Sequence, residues 1–143
     1  MNNDAFAAGA GLAGILMIVL IACAILLLPA IFYMLTLQKA LNRCAPENRA
    51  MAPGLVWLLL VPLVSIVWHF FVVLNVAKSL GAEFQKRGIA EETNPGQKLG
   101  LIMCIVFCCG IIPIVNLLAV PAGLICWILY WVKIAGFSKK LAS

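Results

Sequence analysis

The chain contains a single histidine, His69, which lies inside an uncharged, apolar stretch. An ionisable side chain within a membrane segment is by default a functional candidate, and Ser65 lies one helical turn away on the same face. The hydrogen-bonding groups of a neutral imidazole can also find partners in Ser65, a backbone carbonyl or another helix. We favour this interpretation, in which His69 has a structural role. The alternatives are a proton relay or an axial haem ligand, for which a partner would have to supply the second ligand.

A second interpretation of the polar residues is a path through the membrane. It would be lined by Ser65, His69, Asn75 and Asn116. Asn116 lies between Pro113 and Pro121, and broken helices with polar groups at membrane depth are how transporters build substrate sites. No inverted repeat is visible, so we favour Asn116 as the cap of a tight turn.

The six cysteines do not form a recognisable metal site. Cys104 and Cys108 share a helix face, but no Cys-x-x-Cys pair or histidine lies nearby in the sequence to complete a zinc site. We therefore predict buried thiols, no metal and no cofactor. Cys44 differs because it lies in a polar loop, where a thiol could be reactive or lipid-modified. No nucleophile and base pair or phosphate-binding loop is present, so the sequence predicts no enzyme.

The elements that carry these residues are membrane helices. The chain has 143 residues, of which 65 % are hydrophobic and 10 % charged, far from the average soluble domain. Residues 5–38, 51–77 and 99–132 carry no charged side chain, and each run exceeds the roughly 20 residues that cross a bilayer core. The basic residues flank these runs as membrane-edge charges do. We predict an integral membrane protein with no role in nucleic-acid binding.

The expected fold is all-α, a single transmembrane domain built as a four-helix bundle. The helices are predicted at residues 11–37, 53–87, 98–112 and 121–138. One helix over 99–132 would be about 50 Å long against a hydrocarbon core of about 30 Å. Pro113, Asn116 and Pro121 therefore predict that the last two helices form a tight hairpin broken at these residues.

The second helix is predicted to extend beyond the membrane into the cytoplasm. Its apolar side chains repeat at helical spacing as Val73, Ala77, Leu80 and Phe84. Gly88 is a natural stop for the helix. The extension could lie along the lipid headgroups or form a frayed, solvated helix end, and the sequence leaves both open.

Small residues and aromatic residues predict two kinds of contact. Gly9, Gly11 and Gly14 each have a small partner four residues away, the spacing that lets helix backbones approach closely in lipid. We favour packing within the monomer over a dimer seam. The membrane-interface anchors are predicted to be Trp127, Tyr130, Trp131 and Lys133. An aromatic belt with a snorkelling lysine explains them better than a ligand cage does.

The distribution of basic residues predicts an orientation. If all four helices cross, Lys39, Arg43 and Arg49 lie on one side and the other seven basic residues on the other. The positive-inside rule then places both termini in the cytoplasm, and we favour this topology in a bacterial inner membrane. In the rival topology the second segment bends at Pro62 and leaves by the face it entered, so that all ten basic residues lie inside and the amino terminus lies outside.

The chain after residue 37 contains several short motifs, which are Pro-Glu-Asn-Arg at 46–49, Pro-Gly-Leu-Val-Trp at 53–57, Val-Trp-His-Phe at 67–70 and Ile-Leu-Tyr-Trp-Val-Lys at 128–133. These motifs resemble an uncharacterised family of small bacterial multi-pass membrane proteins. The family has no assigned activity, so the resemblance implies a role for no residue.

The expected function is non-enzymatic. We predict an accessory or scaffold subunit, or a homo-oligomer, that acts by helix association with other membrane-protein subunits or with itself in the lipid bilayer. One alternative is a small oligomeric channel or transporter. A further alternative is an electron-transfer subunit that carries haem through His69.

Overall fold

The computed structural model describes residues 3–143, with side chains from residue 9 onward, and this part of the chain is helical. The four α-helices are α1 (Asn3–Arg43), α2 (Pro62–Lys86), α3 (Gln97–Cys109) and α4 (Pro113–Lys140), and two 3₁₀ helices cover Pro46–Asn48 and Pro53–Leu60. Among the described residues, α1, α2 and α4 are long and apolar enough to cross a membrane. The predicted helical membrane protein is confirmed at this level.

The chain divides into two compact units, Met1–Tyr33 and Met34–Ser143. The first unit is the amino-terminal part of α1, which continues without a break through Pro29. Membrane helices tolerate an internal proline more readily than soluble helices do. Between residues 12 and 28 of this unit the large apolar side chains are exposed, including Leu12 and Leu26 at 73 % each.

In the second unit, the segment predicted as one helix over 53–87 folds back on itself. The 3₁₀ helix Pro53–Leu60 is followed by Val61, and α2 begins at Pro62. The Ala50 N–H donates to Ser79 Oγ over 2.8 Å, and Trp68 Nε1–H donates to the Leu55 carbonyl over 2.9 Å. The chain before Pro62 therefore runs antiparallel to α2. Pro62 permits the bend because the first position of a helix needs no N–H.

Helices α3 and α4 also run antiparallel to each other. A side chain added at Gly100, near the start of α3, would meet Tyr130, and one added at Gly123 would meet Phe107 near the end of α3. Helix α4 begins at Pro113, earlier than the predicted residue 121, and continues through Pro121. The turn therefore occupies residues 110–112, because Pro113 fits the first helical position and Pro121 is tolerated inside a membrane helix.

The apolar side of α2 is covered by protein. Leu80 is fully buried and Phe84 is 1 % exposed. The Phe84 ring packs edge-on against Phe137 of α4, with ring centroids 5.6 Å apart. The end of α2 is therefore neither a headgroup-bound helix nor a frayed end, because neighbouring protein buries the stripe that would have contacted lipid.

Gly88 ends α2 as predicted. It adopts the left-handed backbone conformation with φ of +68°. The Ile89 N–H donates to the Phe84 carbonyl and the Gly88 N–H to the Gln85 carbonyl. This pair of hydrogen bonds is the Schellman motif, which satisfies carbonyl groups at the end of a helix.

The carboxyl-terminal ends of α1, α2 and α4 meet at one end of the second unit, called here the charged end. Arg43 Nη1 donates to the backbone oxygen and, over 2.9 Å, to the hydroxyl of Ser138. Arg87 donates to the carbonyl of Leu141 over 2.9 Å and to that of Arg43 over 3.3 Å. The four-crossing topology put Arg43 on the opposite side from Arg87 and Ser138, and these hydrogen bonds contradict that separation.

Candidate functional site

A cavity of about 260 Å³ brings residues of α2 and α3 together. It is lined by Ser65, Ile66, His69, Cys104, Phe107, Cys108 and Ile111. The spacing of four residues places Ser65 and His69 on one face of α2. The centroid of the imidazole ring lies 6.3 Å from that of the Phe107 ring. The predicted proximity of Ser65 and His69 is therefore found on the wall of a cavity.

The rest of the predicted polar path does not gather there. Asn116 lines a different cavity, of about 240 Å³, with Phe107 and Gly110 among its walls. Asn75 Nδ2–H donates to the Phe71 carbonyl, one turn earlier in its own helix, over 2.7 Å. Asn116 is also not the cap of α4, because Ile112 takes that position without a side-chain hydrogen bond. Helix α4 begins before Asn116, so this side chain lies inside its first turns.

The cavity beside His69 has a mainly apolar lining, and the Ser65 hydroxyl on its wall donates to the Pro62 carbonyl over 3.3 Å. Within the described residues, no three His, Cys, Asp or Glu side chains come together in a way that could hold a metal ion. The polar groups of the lining are the Ser65 hydroxyl, the His69 imidazole and the thiols of Cys104 and Cys108. Such a lining suits a small, weakly polar guest.

Glu83 organises the charged end. Its side chain is 4 % exposed. The carboxylate accepts hydrogen bonds from Arg87 Nε at 2.7 Å, from the Ala45 N–H at 2.8 Å and from Asn48 Nδ2 at 2.7 Å. Three donors offset the cost of removing this charge from water. In the sequence, the spacing of four residues between Glu83 and Arg87 is the one signal of this pair.

Three further ion pairs connect helices to loops at the charged end. Lys86 pairs with Glu47, Lys140 pairs with Glu91, and Lys133 Nζ lies 3.0 Å from Glu92. The hydrogen bond from Lys133 and its positive charge hold the pKa of Glu92 below its usual range. The hydrogen bond from Lys86 lowers the pKa of Glu47 in the same way. Exposed pairs of this kind add little stability individually.

Cys44 is buried, contrary to the prediction of a reactive or lipid-modified thiol. It is 1 % exposed, and its S–H points to the Ala40 carbonyl at 3.5 Å. Burial, with a smaller contribution from the negative charge of Glu83, raises the pKa of Cys44 to about 11. A thiol that stays protonated and enclosed is a poor nucleophile.

The predicted membrane anchors occupy different environments. Tyr130 is fully buried, and so it is a core residue of the second unit. Trp131 is half-buried and donates from Nε1 to Thr36 Oγ1 over 2.8 Å, and its ring centroid lies 5.4 Å from that of Trp127. Lys133 pairs with Glu92. An interface role for Trp127, Trp131 and Lys133 stays a prediction.

The glycines of the first unit face open space. A Cβ added at Gly9, Gly11 or Gly14 would meet no atom within 4 Å. Their predicted role in helix packing is therefore compatible with a neighbouring helix that is not part of this chain. The role itself stays a prediction.

Comparisons of the chain with family models, curated proteins and solved structures return no match. The resemblance to small bacterial multi-pass membrane proteins therefore stays a prediction.

Proposed function

We propose that the chain is a non-enzymatic membrane protein that works by helix association, as an accessory or scaffold subunit or as a homo-oligomer. The observation that carries this proposal is the exposure of α1. In the most apolar stretch of α1, no residue is buried within the protein. In the corresponding stretches of α2 and α4, 33 % and 17 % of the residues are buried. A helix with this surface is available to another helix in the bilayer.

Small residues make that surface suitable for close packing. In lipid, helices associate through van der Waals contact and polar contacts rather than through the hydrophobic effect. Gly11 and Gly14 are three residues apart, and a Cβ on either would meet no atom within 4 Å. A second backbone can therefore approach α1 at this position.

The test is the mass of the complex in native nanodiscs, together with the proteins that copurify from the host membrane. We expect an oligomer or a bound subunit for the wild type, and its loss in the double variant G11L/G14L. The variant A24L adds bulk to the same helix outside the glycine pair and should keep the assembly. A wild-type protein that is a monomer without a bound partner would contradict the proposal.

The cavity at His69 favours a second candidate function, a small oligomeric channel or transporter. Ser65 and His69 place polar groups on a cavity wall within an otherwise apolar stretch of α2. Polar residues at membrane depth commonly mark ion and substrate pathways. Ion flux into liposomes that contain the wild-type protein would support this function. The flux should be reduced in the variant H69A and unchanged in the control variant C126A. Absence of flux above that of empty liposomes would exclude it.

We also propose a topology with one crossing helix and two re-entrant hairpins. The hairpin 50–86 and the hairpin 97–140 would both enter and leave at the charged end, and their tips carry no charged residue. At the tips, the Val61 N–H donates to the Leu58 carbonyl and the Ile112 N–H to the Cys109 carbonyl. These bonds support placement in lipid, where backbone polar groups need internal partners. In this arrangement α2, α3, α4 and the carboxyl-terminal turns of α1 form the bundle.

The positive-inside rule then gives the orientation. All ten basic residues would lie on one side, which is the cytoplasmic side of a bacterial inner membrane. The amino-terminal end of α1 would lie on the other side. This is the orientation of the rival topology predicted from the sequence, in which the amino terminus lies outside.

Single cysteines in a cysteine-free background test this topology. E47C, T93C and S143C should react with an impermeant maleimide from the same side of the membrane. L63C and I114C at the hairpin tips should react from neither side. Labelling of E47C and T93C from opposite sides would overturn the proposal.

A further inference from the structure

The basic residues of the charged end divide into two groups. Six of the ten are engaged within the protein. Lys86, Arg87, Lys133 and Lys140 pair with carboxylates, whereas Arg43 and Arg49 donate to oxygens of nearby residues. These side chains serve the fold of the second unit.

The remaining four are lysines, one from each α-helix. They are Lys39 of α1, Lys78 of α2, Lys98 of α3 and Lys139 of α4. All four are exposed. Over residues 9–143, none of them takes part in an ion pair or a side-chain hydrogen bond with the protein. All four ammonium groups are thus open to a ligand, although the charge of Lys98 also helps to lower the pKa of Glu92.

Each of the four lysines lies at the charged end. Lys39 is one turn before Arg43, and Lys139 follows Ser138, to which Arg43 is bonded. Lys78 precedes Ser79, which is bonded to Ala50. Lys98 follows closely on Gly96, where an added Cβ would lie 3.3 Å from Ile134 of α4.

Each lysine also shares a helix face with an exposed apolar residue of its own helix. Leu35 and Ile102 lie four residues from Lys39 and Lys98 and are 44 % and 52 % exposed. Phe71 and Val132 lie seven residues from Lys78 and Lys139 and are 41 % and 65 % exposed. Residues four and seven apart share a helix face. In a membrane these apolar side chains would contact the acyl chains, which would place each lysine near the headgroups.

We propose that Lys39, Lys78, Lys98 and Lys139 bind anionic phospholipid headgroups at the charged end. Lysine presents a mobile ammonium group on a long apolar stem, which suits a phosphate above an acyl-chain surface. The exposed apolar residue on the face of each lysine favours headgroups of the surrounding leaflet over an acidic protein as the partner. The inference depends on insertion in a bilayer and not on the helix association proposed above.

The experiment measures the preference of the protein for phosphatidylglycerol over phosphatidylcholine at its boundary. Spin-labelled lipids report this preference in bilayers that contain equal amounts of both. A basic residue near a membrane surface changes the binding constant of anionic lipid by about fivefold. We expect the quadruple variant K39Q/K78Q/K98Q/K139Q to lower the preference by at least about fivefold, and added salt to lower the wild-type preference.

Two matched variants control for charge and for fold. The arginine variant K39R/K78R/K98R/K139R should keep the preference, because the charge is retained. The variant K133Q/E92Q neutralises a paired lysine with its partner and should also keep it. Circular dichroism should show the same helix content in every variant. A quadruple glutamine variant that is folded and keeps the wild-type preference would overturn the proposal.

Discussion

Arg43 and Ser138 are joined by two hydrogen bonds although they are 95 residues apart in the chain. The guanidinium group at the end of α1 contacts both the backbone oxygen and the hydroxyl of Ser138 near the end of α4. Arg87 at the end of α2 adds hydrogen bonds to Arg43 and Leu141. The ends of three helices of the second unit are thereby tied together.

Replacing Glu83 with glutamine should destabilise the second unit. The carboxylate is 4 % exposed, and its loss leaves Arg87 and the Ala45 N–H with weaker acceptors. We expect a loss of about 2 kcal/mol in the free energy of unfolding. The measurement is thermal unfolding in detergent followed by circular dichroism. E47Q, at an exposed ion pair, is the control and should change little. Equal effects of the two variants would refute the role of Glu83.

Adding a methyl group at Gly100 should disturb the contact between α2, α3 and α4. The new Cβ would lie 2.8 Å from Tyr130 Cε2 and 3.1 Å from Val73 Cγ2. Overpacking of this kind costs about 1–3 kcal/mol. The control is G136A on α4, where a Cβ would meet no atom within 4 Å. The melting temperature of G100A should fall, and that of G136A should stay unchanged or rise. A G100A variant as stable as G136A would contradict the packing.

The buried thiol of Cys44 predicts a loss of stability at high pH. The pKa is about 11 in the folded protein and 9.0 for an unperturbed thiol, so the folded state keeps a proton that the unfolded state releases. Stability should be complete below about pH 9 and should fall as the pH rises towards 11. C44A should unfold with a smaller dependence on pH over this window than the wild type. C23A, which removes an exposed thiol, should keep the wild-type dependence.

Modification of the same thiol gives a second readout. In a variant that retains Cys44 as the single cysteine, maleimide should label the unfolded protein readily and the folded protein only slowly. Rapid labelling of the folded protein at neutral pH would show that the thiol is accessible. A lipid attached to Cys44 in protein from cells would have the same meaning.

A lysine at either hairpin tip should impair membrane insertion. Leu63 is 90 % and Ile114 is 89 % exposed, and both lie beside turns that carry no charge. A lysine near the centre of a bilayer costs roughly 2.5–3.5 kcal/mol on insertion scales. L63K and I114K should therefore reduce the fraction of protein recovered in membranes. Q85K, at the exposed side of α2 near the charged end, should not. Full recovery of both tip variants would indicate that the tips reach water.

The sequence allowed the membrane class and some helix ends to be predicted. The uncharged runs indicate helices that lie in lipid, because the bilayer core disfavours a charged side chain at every position of the run. Gly88 could be predicted because a left-handed backbone at a helix end strongly favours glycine. The proximity of Ser65 and His69 could be predicted because both lie on one helix. Each of these predictions rests on local geometry.

Proline was a weaker guide because it is compatible with several structures. Pro53, Pro62 and Pro113 each begin a helix, whereas Pro29 and Pro121 lie inside one. The fixed φ and the missing N–H are the same at all five positions. Neighbouring segments decide between a bend and a continuous helix, and a single run of sequence does not contain them.

The contacts of the charged end could not be predicted for a related reason. Counting basic residues on each side of four assumed crossings separated Arg43 from Arg87. Counts of basic residues do not show which loops lie close together. The hydrogen bonds that Glu83 accepts from Ala45 and Asn48 form only because the loop after α1 lies beside α2. The re-entrant alternative followed from the same counts once Pro62 was allowed to bend.

The uncharged turns of the two hairpins have a consequence for how the protein reaches its membrane. Between residues 50 and 77 and between 99 and 132 no charge has to pass through the hydrocarbon. Moving a lysine or arginine through it is costly. In the topology proposed above, both hairpins would therefore insert into the bilayer from the side of synthesis, and every loop that carries charge would stay in water throughout assembly.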